Sequence, residues 1–139
     1  MLHPDFPVVT GLYKMTPEWA VNLPINLNKR IEGQDLVLWR PGFTIWVAIW
    51  GNDHNESLQE QLDGMLGIMS SEAFDKDIRK TNNVYYLSYR LTEKHGDKKV
   101  HALYGSAIGQ EGKVNMSIYF DDENDLLFAK KIVGSISKY

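Results

Sequence analysis

Apolar and polar positions alternate with two different periods along this chain, and the switches between them mark its elements. Leu36-Val37-Leu38-Trp39 and the run from Phe43 to Trp50 are β-branched and aromatic, separated by Arg40-Pro41-Gly42, which predicts two strands. Pro41-Gly42 suits the centre of a type II turn. That turn splays a two-residue hairpin, so a wider loop or a corner is expected. Ile45, Val47 and Ile49 lie on one side of the second strand and Trp46, Ala48 and Trp50 on the other, which marks it as central and covered on both faces. After Gly51-Asn52-Asp53-His54-Asn55 the period becomes helical: Leu58, Leu62, Met65, Leu66 and Met69 form one apolar stripe, with Asn55 or Ser57 as cap. Gly64 and Gly67 each weaken that helix by about 1 kcal/mol relative to alanine, which predicts a neighbouring element packed close there. Residues 70–83 are polar, with one helical turn expected at Ser71-Glu72-Ala73-Phe74.

Period two returns in Val84 to Leu91, Val100 to Ile108 and Val114 to Phe120, an antiparallel meander whose links carry Gly96 and Gly112. Asp121 to Asp125 opens a closing helix with Leu126, Ala129, Ile132, Val133 and Ile136 on one face. The acids first and Lys130-Lys131 later match the helix dipole. Residues 1–34 hold Pro4, Pro7, Pro17 and Pro24 and are expected to form an irregular arm. One short helix is predicted at Thr16-Pro17-Glu18-Trp19, with Trp19, Leu23 and Ile25 anchoring the arm to the core. The sum is a single domain over residues 1–139 of α+β class, an antiparallel sheet of about five to six strands with two main helices.

The hydrophobic pattern also predicts a register. Pairing Leu91 with Val100 and Ile108 with Val114 gathers Leu87, Tyr89, Ala102, Tyr104, Met116, Ile118 and Phe120 on a mostly apolar face. The opposite face then receives Tyr86, Ser88, Arg90, His101, Ser117 and Tyr119, with Leu103, Gly105 and Asn115 among them and Asp121 at the end of the row. The solvent side of any half-covered sheet alternates in this manner. As a binding surface, its candidate residues are Tyr86, Ser88, Arg90, His101, Ser117 and Tyr119, with Arg90 holding an anion or carboxylate while His101 changes charge near neutral pH. Gly105 in mid-strand leaves room for a ligand or for a helix.

Composition narrows the function classes. With 139 residues, 43% of them apolar and 24% charged, the chain can bury an ordinary globular core without a covalent staple. The net charge is −3 and the cations stand singly or in pairs, which is no footprint for nucleic acid. The absence of cysteine removes disulfides, thiolate metal sites and thiol nucleophiles, and fits the cytoplasm. The N-terminus has no basic n-region and no apolar stretch reaches membrane-spanning length, so a soluble, non-exported protein with no membrane contact is expected. Trp39, Trp46 and Trp50 beside Arg40 make either an aromatic partner patch or, the preferred reading, the core of a central strand. Asp53-His54-Asn55-Glu56 offers metal donors without the usual spacing of two histidines and a third ligand. Asp121 to Asp125 lacks the alternating donors and glycine of a calcium loop. Both read as turn and cap chemistry, and no metal or cofactor is predicted. Gly105-Ser106-Ala107-Ile108-Gly109 falls inside a strand, unlike the strand-to-helix elbow of hydrolases, and no phosphate-cradling loop follows a strand.

The order of elements, a lead-in, two strands, a helix, a three-strand meander and a closing helix, resembles the PsbP-like α/β/α sandwich over about residues 16 to 137. The phrases Leu-Val-Leu-Trp-Arg-Pro-Gly-Phe-Thr-Ile-Trp and Ile-Tyr-Phe-Asp-Asp-Glu are similar to those of small bacterial proteins. Because PsbP-like domains mostly act through protein contacts, the resemblance implies an adaptor or partner-binding role. The expected function is therefore that of a small cytoplasmic binding protein with a protein partner and an open oligomeric state. The alternative is a small-ligand-binding protein or hydrolase using the face around Arg90, His101 and Tyr119.

Overall fold

The central strands of the chain carry inward rows of apolar side chains that must be covered, and the fold gathers them in a single sheet with a helix on either side. The structure is a computed structural model describing residues 1–138. Its elements are β1 (Val8–Lys14), β2 (Trp19–Glu32), β3 (Asp35–Arg40), β4 (Phe43–Gly51), α1 (Leu58–Ile68), β5 (Phe74–Lys80), β6 (Tyr85–His95), β7 (Lys98–Ile108) and β8 (Gly112–Phe120). A 3-10 turn (Glu123–Asp125) then leads into α2 (Leu126–Gly134) and the short β9 (Ser137–Lys138). The sheet has nine strands in the order β1-β2-β3-β4-β8-β7-β6-β5, with β9 beside the start of β2, and every pairing is antiparallel. The α+β class and two helices match the expectation, whereas the sheet is wider than the five to six strands predicted.

The additional strands come from segments expected to be irregular. Thr16 caps no helix: its hydroxyl accepts from the N–H of Glu18 and Trp19 at 3.2 and 3.1 Å, while Met15 and Thr16 both donate to the Trp19 carbonyl, closing the β1–β2 hairpin. Pro24 is tolerated in β2 because it falls in the irregular stretch where the β1 register shifts between Val9 and Gly11. Phe74 opens β5 instead of ending a helical turn. Every residue of β5 is exposed, and its Asp, Lys and Arg side chains guard an open edge against stray pairing.

Two local expectations are also corrected. Arg40 pairs directly with Phe43 across a two-residue turn with Gly42 at φ 77, and the Gly42 carbonyl accepts the Asp121 N–H at 3.0 Å. That bond ties the turn to the end of β8 and holds a hairpin that the turn type alone disfavours. In α1, Ser57 is the cap, with Glu60 completing the reciprocal pair of bonds at 3.1 Å each. Among the described residues, no element packs on Gly64 or Gly67, which face open space.

The two faces of the sheet are covered unequally. Leu38, Ile45, Val47, Met116, Ile118 and Leu103 point to one side and pack around Ala129, Ile132 and Val133 of α2, joined by Trp19, Val21 and Leu23 from β2. On the opposite face Leu62 of α1 sits on Leu87 and Ile108. Trp19 is the deeply buried tryptophan, only 2% exposed. Trp39 and Trp46 are half-buried and Trp50 is 56% exposed, so the tryptophans of β3 and β4 are not core as expected. No helix among the described residues is long and apolar enough to cross a membrane.

Candidate functional site

The register of the meander decides which candidate residues meet. β6 and β7 pair Arg90 with Leu103 and Thr92 with His101, two residues from the expected alignment, which preserves the faces. β7 and β8 pair Gly105 with Met116 and Leu103 with Ile118, one residue away, which turns β8 over. The Gly109 N–H bonds to the Gly112 carbonyl at 2.7 Å and closes the link directly after the Ile108–Lys113 pair. The apolar row of β8 thereby meets Leu103 and Ala107 beneath α2, and Tyr104 keeps its hydroxyl away from that core. The predicted surface is therefore two sites. Tyr86, Ser88, Arg90 and His101 share the α2 face, while Ser117 and Tyr119 lie on the opposite one with Tyr104, Ser106 and Asn115.

On the α2 face, Arg90 and His101 do meet, through a residue the sequence reading missed. Glu123 Oε2 accepts from Arg90 Nη2 at 2.9 Å and lies 3.1 Å from His101 Nδ1. The Arg90 hydrogen bond, more than any other influence, pulls the Glu123 carboxyl below its usual range; desolvation opposes it, and the charges of Arg90, His101 and Lys130 add to the lowering. Arg90 is only 8% exposed, lies 5.2 Å over the Phe74 ring and, among the described residues, has no partner for its Nε. Asp121, the acid expected in this row, pairs instead with Lys98 at 2.8 Å. Gly105 leaves no room for a ligand: a Cβ there would lie 2.5 Å from both methyls of Val133.

The other face, between α1 and the N-terminal arm, is aromatic and hydroxylic. Phe6 packs edge-on against Trp39 at 5.0 Å, and the arm is held by the buried Asn28, whose amide donates to the His3 and Phe6 carbonyls at 3.0 and 3.1 Å. The Arg30 guanidinium lies 4.5 Å from the Trp39 ring and 5.8 Å from that of Trp46. Trp46 pairs with Ser117 and Thr44 with Tyr119 across β4 and β8. Tyr104 stacks on Tyr89 at 5.4 Å, donates to the Glu93 carboxylate and shares a 3.1 Å hydroxyl contact with Tyr119.

Burial, followed by the bonds to Glu93 and Tyr119, pushes the Tyr104 phenol far above its ordinary value of 10.0, and burial raises Tyr89 as well. Protons held more tightly by the folded chain contribute stability that is complete below pH 10 and is lost as pH climbs through the folded-state values. Ultraviolet titration should show late-ionising phenols among the seven tyrosines. Tyr104→Phe should remove one of them and flatten part of the alkaline loss of stability. Ionisation of all seven together near pH 10 would contradict this arrangement.

The remaining candidates are structural. Asn52 bonds the Glu56 N–H at 2.9 Å and the Glu56 and Gln110 carbonyls at 2.7 Å, so the loop before α1 is a turn. Asp122 caps the 3-10 turn through the Asn124 N–H at 2.9 Å, and Asp125 pairs with Arg40 at 3.0 Å. Among the described residues, no group of three His, Asp or Glu is placed to hold a metal ion. No protein-family model and no curated protein matches the chain.

Proposed function

We propose that this chain is a small cytoplasmic binding module that acts through protein contacts, and that the partner seats on the sheet face between α1 and the N-terminal arm. One observation carries the reading: the register of β8 sends Ser117 and Tyr119 to the side that α2 leaves uncovered, beside Trp46 and Thr44. Tryptophan, tyrosine and arginine with interspersed serine and asparagine are the composition of protein-binding surfaces. The aromatics supply area at low entropic cost and the small polar groups supply adaptable hydrogen bonds. Trp50, 56% exposed, extends that surface past the end of the hydroxylic patch. The placement of α1 and α2 on opposite faces supports a PsbP-like layering, and domains of that kind mostly act through protein contacts. The lack of cysteine favours the cytoplasm, and the resemblance of two short phrases to those of small bacterial proteins implies a bacterial one.

Affinity capture from bacterial lysate tests this with Trp46→Ser, the variant first shown to unfold at the wild-type midpoint. A protein retained by the wild type should be lost at least about tenfold from Trp46→Ser, the penalty typical of a central aromatic anchor. In the complex, Trp46 and Tyr119 should be protected from hydroxyl-radical labelling. Equal retention by both forms, or labelling unchanged on binding, rejects this face as the partner site.

A further inference from the structure

The polar residues of β6 that face α2 line a second feature, unconnected to the partner surface on the other side of the sheet. Strands β5 and β6 and helix α2 enclose a cleft of about 350 Å³, at the small end of the range for metabolite sites. Leu103 and Val133, both buried, supply apolar lining. The walls are charged and held in place. Asp77 stands opposite Ser88 and Arg79 opposite Tyr86. The Arg79 guanidinium lies 4.1 Å from the Tyr86 ring and spends one Nη on the Gly134 carbonyl at 3.3 Å, while the Tyr86 hydroxyl donates to the Ile136 carbonyl at 2.7 Å. A register shift between Phe74 and Asp77, with Asp75 at φ 53, turns Asp75 out of the ladder to pair with Lys130 at 2.8 Å, bridging β5 to α2.

The groups left over define the ligand. Among the described residues, the side chains of Lys76, Asp77 and Ser88 make no hydrogen bond or ion pair, and Arg79 retains most of its five donors. Asp77 and Arg79 are two positions apart on one face of the strand, roughly 7 Å along it. A simple anion is attracted by Arg79 and Lys76 but leaves Asp77 without a partner, and a simple cation is attracted by Asp77 and repelled by the two cations. A molecule bearing both charges a few carbons apart satisfies the two together. We propose that the cleft binds a small zwitterionic carboxylate of the amino-acid class, its carboxylate on Arg79 and its ammonium on Asp77 beside the Ser88 hydroxyl.

Three probes of equal chain length test this at constant ionic strength: 4-aminobutyrate with both charges, butyrate with the carboxylate alone and butylamine with the ammonium alone. Amide chemical shifts of Tyr86, Ser88, Val133 and Gly134 report binding. The expected result is saturation by 4-aminobutyrate with Kd in the low-millimolar range, well within what a ligand of seven heavy atoms can reach. Butyrate and butylamine should bind about tenfold more weakly or worse. Asp77→Asn should reduce 4-aminobutyrate to the level of butyrate, and Arg79→Gln to the level of butylamine. Since Arg79 also bonds the end of α2, Asp77→Asn on the exposed edge strand and the cleft-filling Ser88→Leu carry the test should Arg79→Gln fail to fold. Equal binding of all three probes, no saturable shift with any, or an Asp77→Asn variant that binds like the wild type would overturn the proposal.

Discussion

Gly105→Ala should be among the most costly single-methyl additions in the protein, lowering stability by about 1–3 kcal/mol, the usual penalty for overpacking a filled core. The new Cβ would meet both Val133 methyls at 2.5 Å and the Val133 Cβ at 3.0 Å, so α2 must lift or Val133 must move. Val133 is 4% exposed and belongs to the main core, which leaves it little freedom to do so. Val133→Ala alone is also destabilising, because it opens a cavity. Combined, each change supplies what the other lacks, and the double variant should be more stable than the sum of the singles by about 0.5–3 kcal/mol. Urea midpoints at unchanged slope measure all four corners of the cycle. Strict additivity would show that the helix does not rest on Gly105.

That contact also explains where the sequence was legible. A glycine in mid-strand announces that something approaches the backbone, and the closing helix, with Ile132 and Val133 on its inward stripe, was readable as the element to do so. The helices, the central strands and the meander were legible because their apolar periods are strong. β1 and β5 were not: β1 alternates in burial, but Val8 and Leu12 stand at outward positions and Gly11 at an inward one, so its sequence hides the alternation, and β5 buries no side chain. The candidate site failed at a single step. Tyr104 and Ala102 look as suitable as Leu103 and Ala107 for pairing with the apolar row of β8, and the pattern alone does not separate the two alignments. The Tyr104 hydroxyl decides between them, because it needs Glu93 and Tyr119, and those partners are available only on the open face. Glu123 escaped notice because a cluster of acids at a helix start satisfies the dipole argument without naming which member reaches back to the sheet.

The second large effect is expected at that glutamate, and its sign distinguishes a structural ion pair from an anion receptor. Glu123→Gln leaves the Arg90 guanidinium, its side chain 10% exposed and its Nε already unpartnered, without a compensating charge. The cost should be about 1–3 kcal/mol, toward the lower end because Glu123 itself is half in solvent. Arg90→Met replaces the cation by an apolar chain of similar reach that can pack on Phe74, and should cost less than Glu123→Gln, since exchanging a buried ion for packed hydrocarbon is often neutral. The pH dependence has a fixed direction. With its carboxyl held below the ordinary 4.5, Glu123 contributes stability that is present above that value and is lost as pH falls through the folded-state value. The gap between wild type and Glu123→Gln should therefore be full near neutrality and close in acid. Inorganic phosphate added to Glu123→Gln completes the comparison. A structural pair predicts no gain in the unfolding midpoint beyond the general salt effect that the wild type shows, whereas a receptor plugged by its own carboxylate would gain more than the wild type with phosphate concentration, and that excess would reopen Arg90 and His101 as a binding site.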